Sequence, residues 1–268
     1  MILAVDAGNT NIVAALMEDE KVISTKRFAT GKDQSDKYHY EELLKLVNEC
    51  CAATDKSVQG SIISSVVPCI NKSLETACEK ITGKSPLIVD NTINTGMTIC
   101  YDNPSKLGAD LICDGAGAVK KYGAPVVVID IGTATTFSII DEKKNYLGSV
   151  ITPGPITAIN ALTQMASLLP DGEFMPTDSI IGKNTYECMS IGTYTTHSAM
   201  IDGMIQRFEE KLGDKVKYII TGGPAKDIVK LCKKNLIFDD DLLHYGLYTL
   251  YELNKGASCI IKSVDVEN

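Results

Sequence analysis

The sequence predicts an α/β fold built from two similar halves, and three observations lead to this prediction. Apolar segments typical of buried strands alternate along the 268 residues with segments of helical periodicity. An Asp-x-Gly triplet follows an apolar strand twice, at Asp6–Gly8 and at Asp130–Gly132. The triplets are 130 − 6 = 124 residues apart, close to half of the chain. A duplicated α/β unit with a cleft between its halves explains this pattern, with the halves at 1–120 and 121–268.

The individual elements follow from local patterns. Short apolar or alternating runs that end in turn residues predict strands. In chain order these strands are expected at 1–6, 12–16, 61–67, 86–89, 126–131, 137–141, 146–151 and 216–221. Apolar residues that recur every three or four positions, as at Tyr40, Leu43 and Val47, predict helices. These helices are expected near 38–52, 69–81, 107–121, 155–168, 185–212, 225–234 and 243–256.

Composition excludes several classes of function. The net charge is −8, which argues against a nucleic-acid partner. Of the 26 basic residues, only Arg27 and Arg207 are arginines. No apolar run approaches the roughly 18 residues that a membrane span needs. The first apolar run meets Asp6 and does not resemble a signal peptide, so we expect a cytoplasmic protein. The nine cysteines show no zinc-ligand spacing and are expected to be reduced thiols.

The two Asp-x-Gly turns are suited to binding phosphate. Gly8 and Gly132 let a phosphate approach the backbone closely, and the residues that follow add amide and hydroxyl donors. These donors are Asn9, Thr10, Thr133, Thr135 and Thr136. Since a carboxylate repels phosphate, Asp6 and Asp130 are better suited to holding a cation that neutralises it. Two β-turns that need Asp and Gly only for backbone reasons are the alternative. The chain contains neither the GxxxxGK[ST] nor the GxGxxG motif, so a P-loop or dinucleotide-binding unit is not supported.

A phosphoryl transfer also needs a group that accepts the proton of the attacking hydroxyl. Asp110 is the candidate outside the turns, although an acidic residue in the first turn of a helix is also favoured by the helix dipole alone. Gly222 and Gly223 follow the last predicted strand and can let an adenosine lie against the backbone; a plain turn between strand and helix explains them equally.

Several of these motifs together resemble type III pantothenate kinases. The matching motifs are Asp6-x-Gly8-Asn9-Thr10, Tyr101-Asp102-Asn103-Pro104 with Leu107-Gly108-Ala109-Asp110, Asp130-x-Gly132-Thr133-Ala134-Thr135-Thr136, Pro153-Gly154, Thr185 with Ser190-Ile191-Gly192, and Thr221-Gly222-Gly223. They occur in the family's order and cover residues 6 to about 225. The resemblance implies a duplicated ribonuclease-H-like fold of the actin, sugar-kinase and heat-shock superfamily. It also implies ATP-dependent phosphorylation of the primary hydroxyl of pantothenate, the first step toward coenzyme A.

The resemblance also assigns roles to residues. By this resemblance, Asp110 is the expected proton acceptor and Asp130 the expected ligand of K⁺ or NH₄⁺. Asp6, from its place beside the first turn, is the expected ligand of Mg²⁺, directly or through water. ATP is expected to contact Asp6, Ala7, Gly8, Asn9, Thr10, Asn11, Ile12, Val13, Gly132 and Thr133. The acceptor substrate is expected to contact Tyr101, Gly108, Ala109, Asp110, Leu111 and Thr185. A homodimer is the implied assembly.

One departure from the family pattern concerns the acceptor. Leu111 stands where the family has Arg, and Asp114 stands where Asn is common, so the local charge changes by −1 − 1 = −2. Because pantothenate carries a carboxylate, this change is expected to weaken its binding if both side chains face the acceptor. Two alternatives therefore stay open at this stage: a related kinase for a neutral or cationic hydroxyl compound, and a nucleotide-binding regulatory protein without turnover.

Overall fold

The computed structural model describes residues 1–31 and 34–256, and its contacts divide the chain into two compact units. The first unit contains Met1–Lys120 together with the segment that begins at Asp241, and the second contains Lys121–Asp240. The sequence suggested 121–268 as one half, whereas the structure groups the last helix with the first unit. Among the described residues, no helix combines the length and the apolar character that a membrane crossing requires.

The first unit is built on a mixed sheet with the strand order β3-β2-β1-β4-β5. The order places β1 between β2, which is antiparallel to it, and β4, which is parallel to it. Its strands are β1 (Ile2–Ala7), β2 (Asn11–Glu18), β3 (Lys21–Ala29), β4 (Ser61–Ser65) and β5 (Leu87–Ile88), and the two-residue strand β6 is Thr98–Ile99. Its helices are α1 (Asp36–Thr54), α2 (Asn71–Thr82), α3 (Ala109–Tyr122, which ends in the second unit) and the last helix, α7 (Leu242–Asn254).

The second unit repeats this strand arrangement. Its strands lie in the order β9-β8-β7-β10-β11, again with antiparallel pairing up to β7 and parallel pairing after it. The strands are β7 (Val126–Ile131), β8 (Ala134–Ile140), β9 (Asn145–Pro153), β10 (Lys217–Thr221) and β11 (Ile237–Phe238). The helices are α4 (Pro155–Met165), α5 (Thr185–Leu212) and α6 (Ala225–Ile228). The matching order confirms the predicted duplication.

Each unit has its own hydrophobic core on one face of its sheet. In the first unit, Leu3, Ile12 and Phe28 pack with residues of α1 and α2. In the second, Val127, Phe137 and Ile220 pack with residues of α5 and α6. Because side chains alternate along a strand, Asp6 and Asp130 project from the opposite faces of the two sheets.

Several elements differ from the sequence-based expectation: the two-residue strands β6 and β11 and the edge strand β3 were not predicted, and helix α6 is shorter than expected. Strand β3 was not predicted, because it pairs only with β2 at the sheet edge and its nine residues include Lys21, Ser24, Thr25, Lys26 and Arg27, so it lacks a continuous apolar run. Helix α6 ends at Ile228 rather than near 234. Its expected continuation is a turn in which the backbone N–H groups of Lys233 and Lys234 donate to the Asp202 carboxylate.

Candidate active site

The first phosphate turn, Gly8–Thr10, joins β1 to β2 at the end of the first sheet. The Gly8 N–H donates to the Asn11 carbonyl at 3.0 Å, and an added Cβ at Gly8 would lie only 3.2 Å from the same oxygen. Asn9 and Thr10 are exposed at the tip. Ala7 and Ile12, in contrast, point into the hydrophobic core. A nucleotide at this turn can therefore meet Ala7 and Ile12 only through their backbone.

A buried hydrogen-bond network holds this turn in place. The Thr30 hydroxyl donates to the Gly8 carbonyl at 2.6 Å, and the Thr30 N–H donates to the Thr10 carbonyl at 3.0 Å. His39 Nε2 lies 2.9 Å from the Thr30 carbonyl, and because a carbonyl only accepts, Nε2 is the donor. His39 Nδ1 lies 2.8 Å from the Ser73 hydroxyl. The sequence showed no partner for His39, since Thr30, His39 and Ser73 meet only in the folded unit.

Two carboxylates of the first unit influence each other. Asp6 at the end of β1 lies beside Ser64 of β4, whose hydroxyl donates to Asp6 Oδ1 at 2.9 Å. Burial, and then the nearby charge of Asp110, raise the pKa of Asp6 to about 7. Burial also raises the pKa of Asp110, in the first turn of α3, although the Leu111 N–H donates to Asp110 Oδ1 at 2.8 Å. The predicted Mg²⁺ ligand and the predicted proton acceptor are therefore close enough to interact electrostatically.

This arrangement fits a bound Mg²⁺. A buried carboxylate next to a second one is disfavoured in its charged form, and a cation relieves that repulsion. Asp6 and Ser64 supply the oxygen atoms that Mg²⁺ prefers. In the described part of the chain, no group of three or more His, Cys, Asp or Glu side chains is placed to hold a metal. Asp6 would thus share the ion with water and phosphate oxygens, as is usual for Mg²⁺ in phosphate-transfer sites.

The second phosphate turn, Gly132–Thr133, joins β7 to β8 in the second unit. The Thr133 carbonyl accepts from the Gly154 N–H at 3.0 Å and from the Thr157 hydroxyl at 2.7 Å. An added Cβ at Gly154 would lie 2.1 Å from the Gly132 carbonyl oxygen, so only glycine allows this contact. The start of α4 therefore supports the second turn.

Asp130 is in close contact with the Gly-Gly turn after β10. Its parallel partner in the sheet is Thr221, and Gly222 follows with φ +97°. An added Cβ at Gly222 would lie 2.6 Å from Asp130 Oδ1 and 2.3 Å from the Ile131 carbonyl oxygen. Carboxylate and carbonyl oxygens thus converge at this glycine, and oxygen donors of this kind suit an alkali cation such as K⁺.

Behind the second turn lies another buried histidine that the sequence left without a partner. The Thr135 hydroxyl, fully buried on β8, lies 2.9 Å from His197 Nε2 of α5. Burial lowers the pKa of His197, so the ring is neutral at pH 7. This pair fixes the start of β8 to α5 within the second unit.

The expected acceptor residues lie in both units. Tyr101 and Gly108–Leu111 belong to the first unit, and Thr185 is the first residue of α5 in the second. An added Cβ at Gly108 would lie 2.4 Å from Asp110 Oδ1, so glycine lets that carboxylate fold back over the helix start. Leu111 is 6% exposed and Asp114 is 1% exposed. Both side chains that depart from the family pattern are therefore buried.

Comparisons with known proteins identify the family of this chain. The sequence profile of the family described as "Type III pantothenate kinase" matches residues 2–207. A type III pantothenate kinase from Bacillus cytotoxicus is 38% identical over 254 residues, which is 95% of this chain and 97% of that protein.

Solved structures show the same fold at low sequence identity. A Campylobacter jejuni protein described as a conserved Baf family transcriptional activator has a TM-score of 0.58 at 17% identity, covering 95% of this chain and 100% of that one. An inorganic polyphosphate/ATP-glucomannokinase from Arthrobacter has a TM-score of 0.51 at 15% identity, covering 95% of this chain and 98% of that one. The profile match and the relative from Bacillus cytotoxicus show that the chain belongs to the type III pantothenate kinase family.

Proposed function

We propose that this protein uses ATP to phosphorylate the primary hydroxyl of pantothenate, the first step of coenzyme A biosynthesis. The observation that carries the proposal is the pair of interacting carboxylates, Asp6 beside the first phosphate turn and Asp110 at the start of α3. Asp6 is suited to binding a cation that accompanies the phosphates, and Asp110 is suited to accepting a proton. Family membership then identifies the acceptor.

Asp110 accepts the proton of the pantothenate hydroxyl in this mechanism. The hydroxyl oxygen forms a bond to the γ-phosphorus of ATP as the bond from that phosphorus to the β–γ bridging oxygen breaks, and ADP leaves with the electron pair. A pKa raised by burial makes the Asp110 carboxylate a stronger base than a carboxylate in water. Mg²⁺, when bound, neutralises charge on the phosphate oxygens.

The two turns are proposed to contact the phosphates of ATP. In the first, Asn9 and Thr10 offer exposed donors, while the network through Thr30 holds the Gly8 and Thr10 carbonyls. In the second, Gly132 and Thr133 take the corresponding place at the end of β7. We also propose that K⁺ or NH₄⁺ is bound at Asp130, where carboxylate and carbonyl oxygens converge.

A homodimer is part of the proposal and is supported by an apolar surface of the second unit. Large apolar side chains are exposed on α4 and on the segment that follows it: Ile156, Leu162, Met165, Leu168, Met175, Ile180 and Ile181. Soluble monomers rarely expose so many neighbouring apolar side chains. We propose that a second copy of the chain covers this surface, and light scattering of the purified protein tests it. A cytoplasmic location remains our proposal as well.

The test of the proposed function is an assay of the purified protein with MgATP and pantothenate in potassium buffer. We expect ADP to form in proportion to a product heavier than pantothenate by one phosphoryl group, and activity to fall when sodium replaces potassium. ATP turnover with a neutral or cationic hydroxyl compound but not with pantothenate would contradict the acceptor assignment. Tight ATP binding without turnover on any acceptor would instead support a regulatory protein.

A further inference from the structure

Arg27 lies in the same transverse row of the first sheet as Asp6. The antiparallel pairing matches Asp6 with Val13, and Val13 in turn with Arg27. Side chains directly opposite each other in antiparallel strands project from the same face of a sheet. Arg27 therefore projects from the face that carries Asp6, two strand spacings or roughly 10 Å away across the sheet.

The neighbours of Arg27 along β3 confirm this orientation. Lys26 makes an ion pair with Glu42 of α1 at 3.0 Å, and Phe28 is buried in the core that α1 and α2 cover. Because side chains alternate along a strand, Arg27 points away from α1, and its side chain is exposed. Its positive charge acts on Asp6 and lowers the pKa of that carboxyl, against the effects of burial and of Asp110.

The position of Arg27 also relates it to the first phosphate turn. Ala29, two residues farther along β3, pairs with Asn11, the first residue after the turn. Two residues of strand span about 7 Å, a distance that a long side chain can bridge. The guanidinium is a planar fork of donors that binds phosphate oxygens in pairs. The other arginine, Arg207, lies on α5 and donates to the Gly203 carbonyl of its own helix at 2.8 Å.

We infer that Arg27 binds the polyphosphate of the nucleotide, supplying positive charge on the sheet face that carries Asp6. This inference rests on the proposed function, since it assumes that the first turn receives a nucleotide. Arg27 would then be the positively charged side chain that binds the phosphates, in a chain that has no P-loop lysine. Nothing in it requires Arg27 to touch the acceptor.

The test measures binding of MgADP, of the non-hydrolysable analogue MgAMP-PNP and of adenosine by calorimetry. Arg27→Gln should weaken binding of both nucleotides by roughly 10- to 100-fold, the range for a charged hydrogen bond, and leave adenosine binding unchanged. Arg27→Lys should bind both nucleotides with an affinity between those of the wild type and Arg27→Gln, because it keeps the positive charge but not the planar guanidinium donors. Arg207→Gln is the matched control and should bind as the wild type does. Far-ultraviolet circular dichroism checks that each variant is folded.

Three outcomes would overturn the inference: unchanged nucleotide affinity in Arg27→Gln, an equal loss of adenosine binding, or a rise confined to the KM for pantothenate, which would place Arg27 at the acceptor carboxylate. The proposed function is tested separately. A wild type that binds MgADP through Arg27 but does not phosphorylate pantothenate would contradict the function and leave the inference standing.

Discussion

Replacing Asp6 with Asn should stabilise the metal-free protein, and the gain should depend on pH. Asparagine keeps the shape of the side chain and can still accept from the Ser64 hydroxyl, so the substitution chiefly removes the charge. The pKa of Asp6 is raised from 3.8 to about 7, first by burial and second by the charge of Asp110. In the folded protein the carboxyl therefore keeps its proton to a much higher pH than in the unfolded chain.

The magnitude follows from proton linkage. Between pH 4 and 7 the folded state holds a proton that the unfolded state has lost, so the free energy of unfolding falls as pH rises, by about 1.4 kcal/mol per pH unit. This stabilising contribution is complete below pH 4 and is lost by the time the pH has risen past 7. Over the whole interval it amounts to about 4 kcal/mol, which water at the partly exposed carboxyl reduces to about 2–4 kcal/mol. Asp6→Asn should avoid that loss.

Urea denaturation at pH 5, 6, 7 and 8 with a chelator present measures the effect. The advantage of Asp6→Asn over the wild type should grow from pH 5 to pH 7 and then stay constant, and MgADP should reduce it, because the wild type binds the cation better. Asp178→Asn removes an exposed carboxylate and is the matched control, expected to follow the wild type at every pH. An advantage of equal size at pH 5 and pH 8 would refute the raised pKa of Asp6.

Three further predictions concern the two units. Asp110→Asn should lower kcat by about 10²–10⁴ with MgADP affinity unchanged; near-normal turnover would remove Asp110 as the base. Thr30→Val should raise the KM for ATP and lower the free energy of unfolding by about 1 kcal/mol, because it removes the hydrogen bond to the Gly8 carbonyl. Thr54→Val loses a similar hydrogen bond in α1 and should change stability alone. Equal KM values for ATP in Thr30→Val and the wild type would contradict this prediction. Gly222→Ala should lower stability by about 1–3 kcal/mol, because its added Cβ would lie 2.3 Å from a carbonyl oxygen of β7, while Gly223→Ala has open space and should keep the wild-type Tm.

The central strands were predictable because their burial makes them apolar on both faces. Strands β1 and β7 are inner strands of the two sheets. Each is an apolar segment in which the second-last residue, an aspartate, is the only charged one. Strand β3 was missed for the opposite reason, since this edge strand has only one fully buried residue, Phe28, and five polar or charged residues interrupt its apolar ones. Local sequence therefore reveals a strand in proportion to how completely the fold buries it.

The residues of the candidate site also differ in how far the sequence alone predicts them. The Asp-x-Gly turns are local motifs, so the sequence displays them directly. The Thr30, His39 and Ser73 network combines a strand end with two helices, and no spacing in the sequence relates its members. Leu111 shows the converse: its motif position suggested a contact with the acceptor, but its side chain is only 6% exposed. Motifs identified which residues matter, and only packing showed which way their side chains point.

Because of the duplication, both sheets contain a row of four residues paired across neighbouring strands, but the side chains in the two rows differ. The row through the first aspartate runs Arg27, Val13, Asp6, Ser64, and the row through the second runs Ile151, Thr136, Asp130, Thr221. Each keeps an aspartate with a hydroxyl residue on the adjacent parallel strand, as expected if both copies hold a cation. At the outer strand the first copy has a guanidinium and the second an isoleucine that is 63% exposed. We therefore propose that the outer strand of the first sheet binds phosphate, whereas the outer strand of the second sheet provides an apolar surface to which a partner chain can bind. Under this proposal an arginine introduced at Ile151 would not replace the function of Arg27, because the positive charge is needed on the sheet where Asp6 and Asp110 interact.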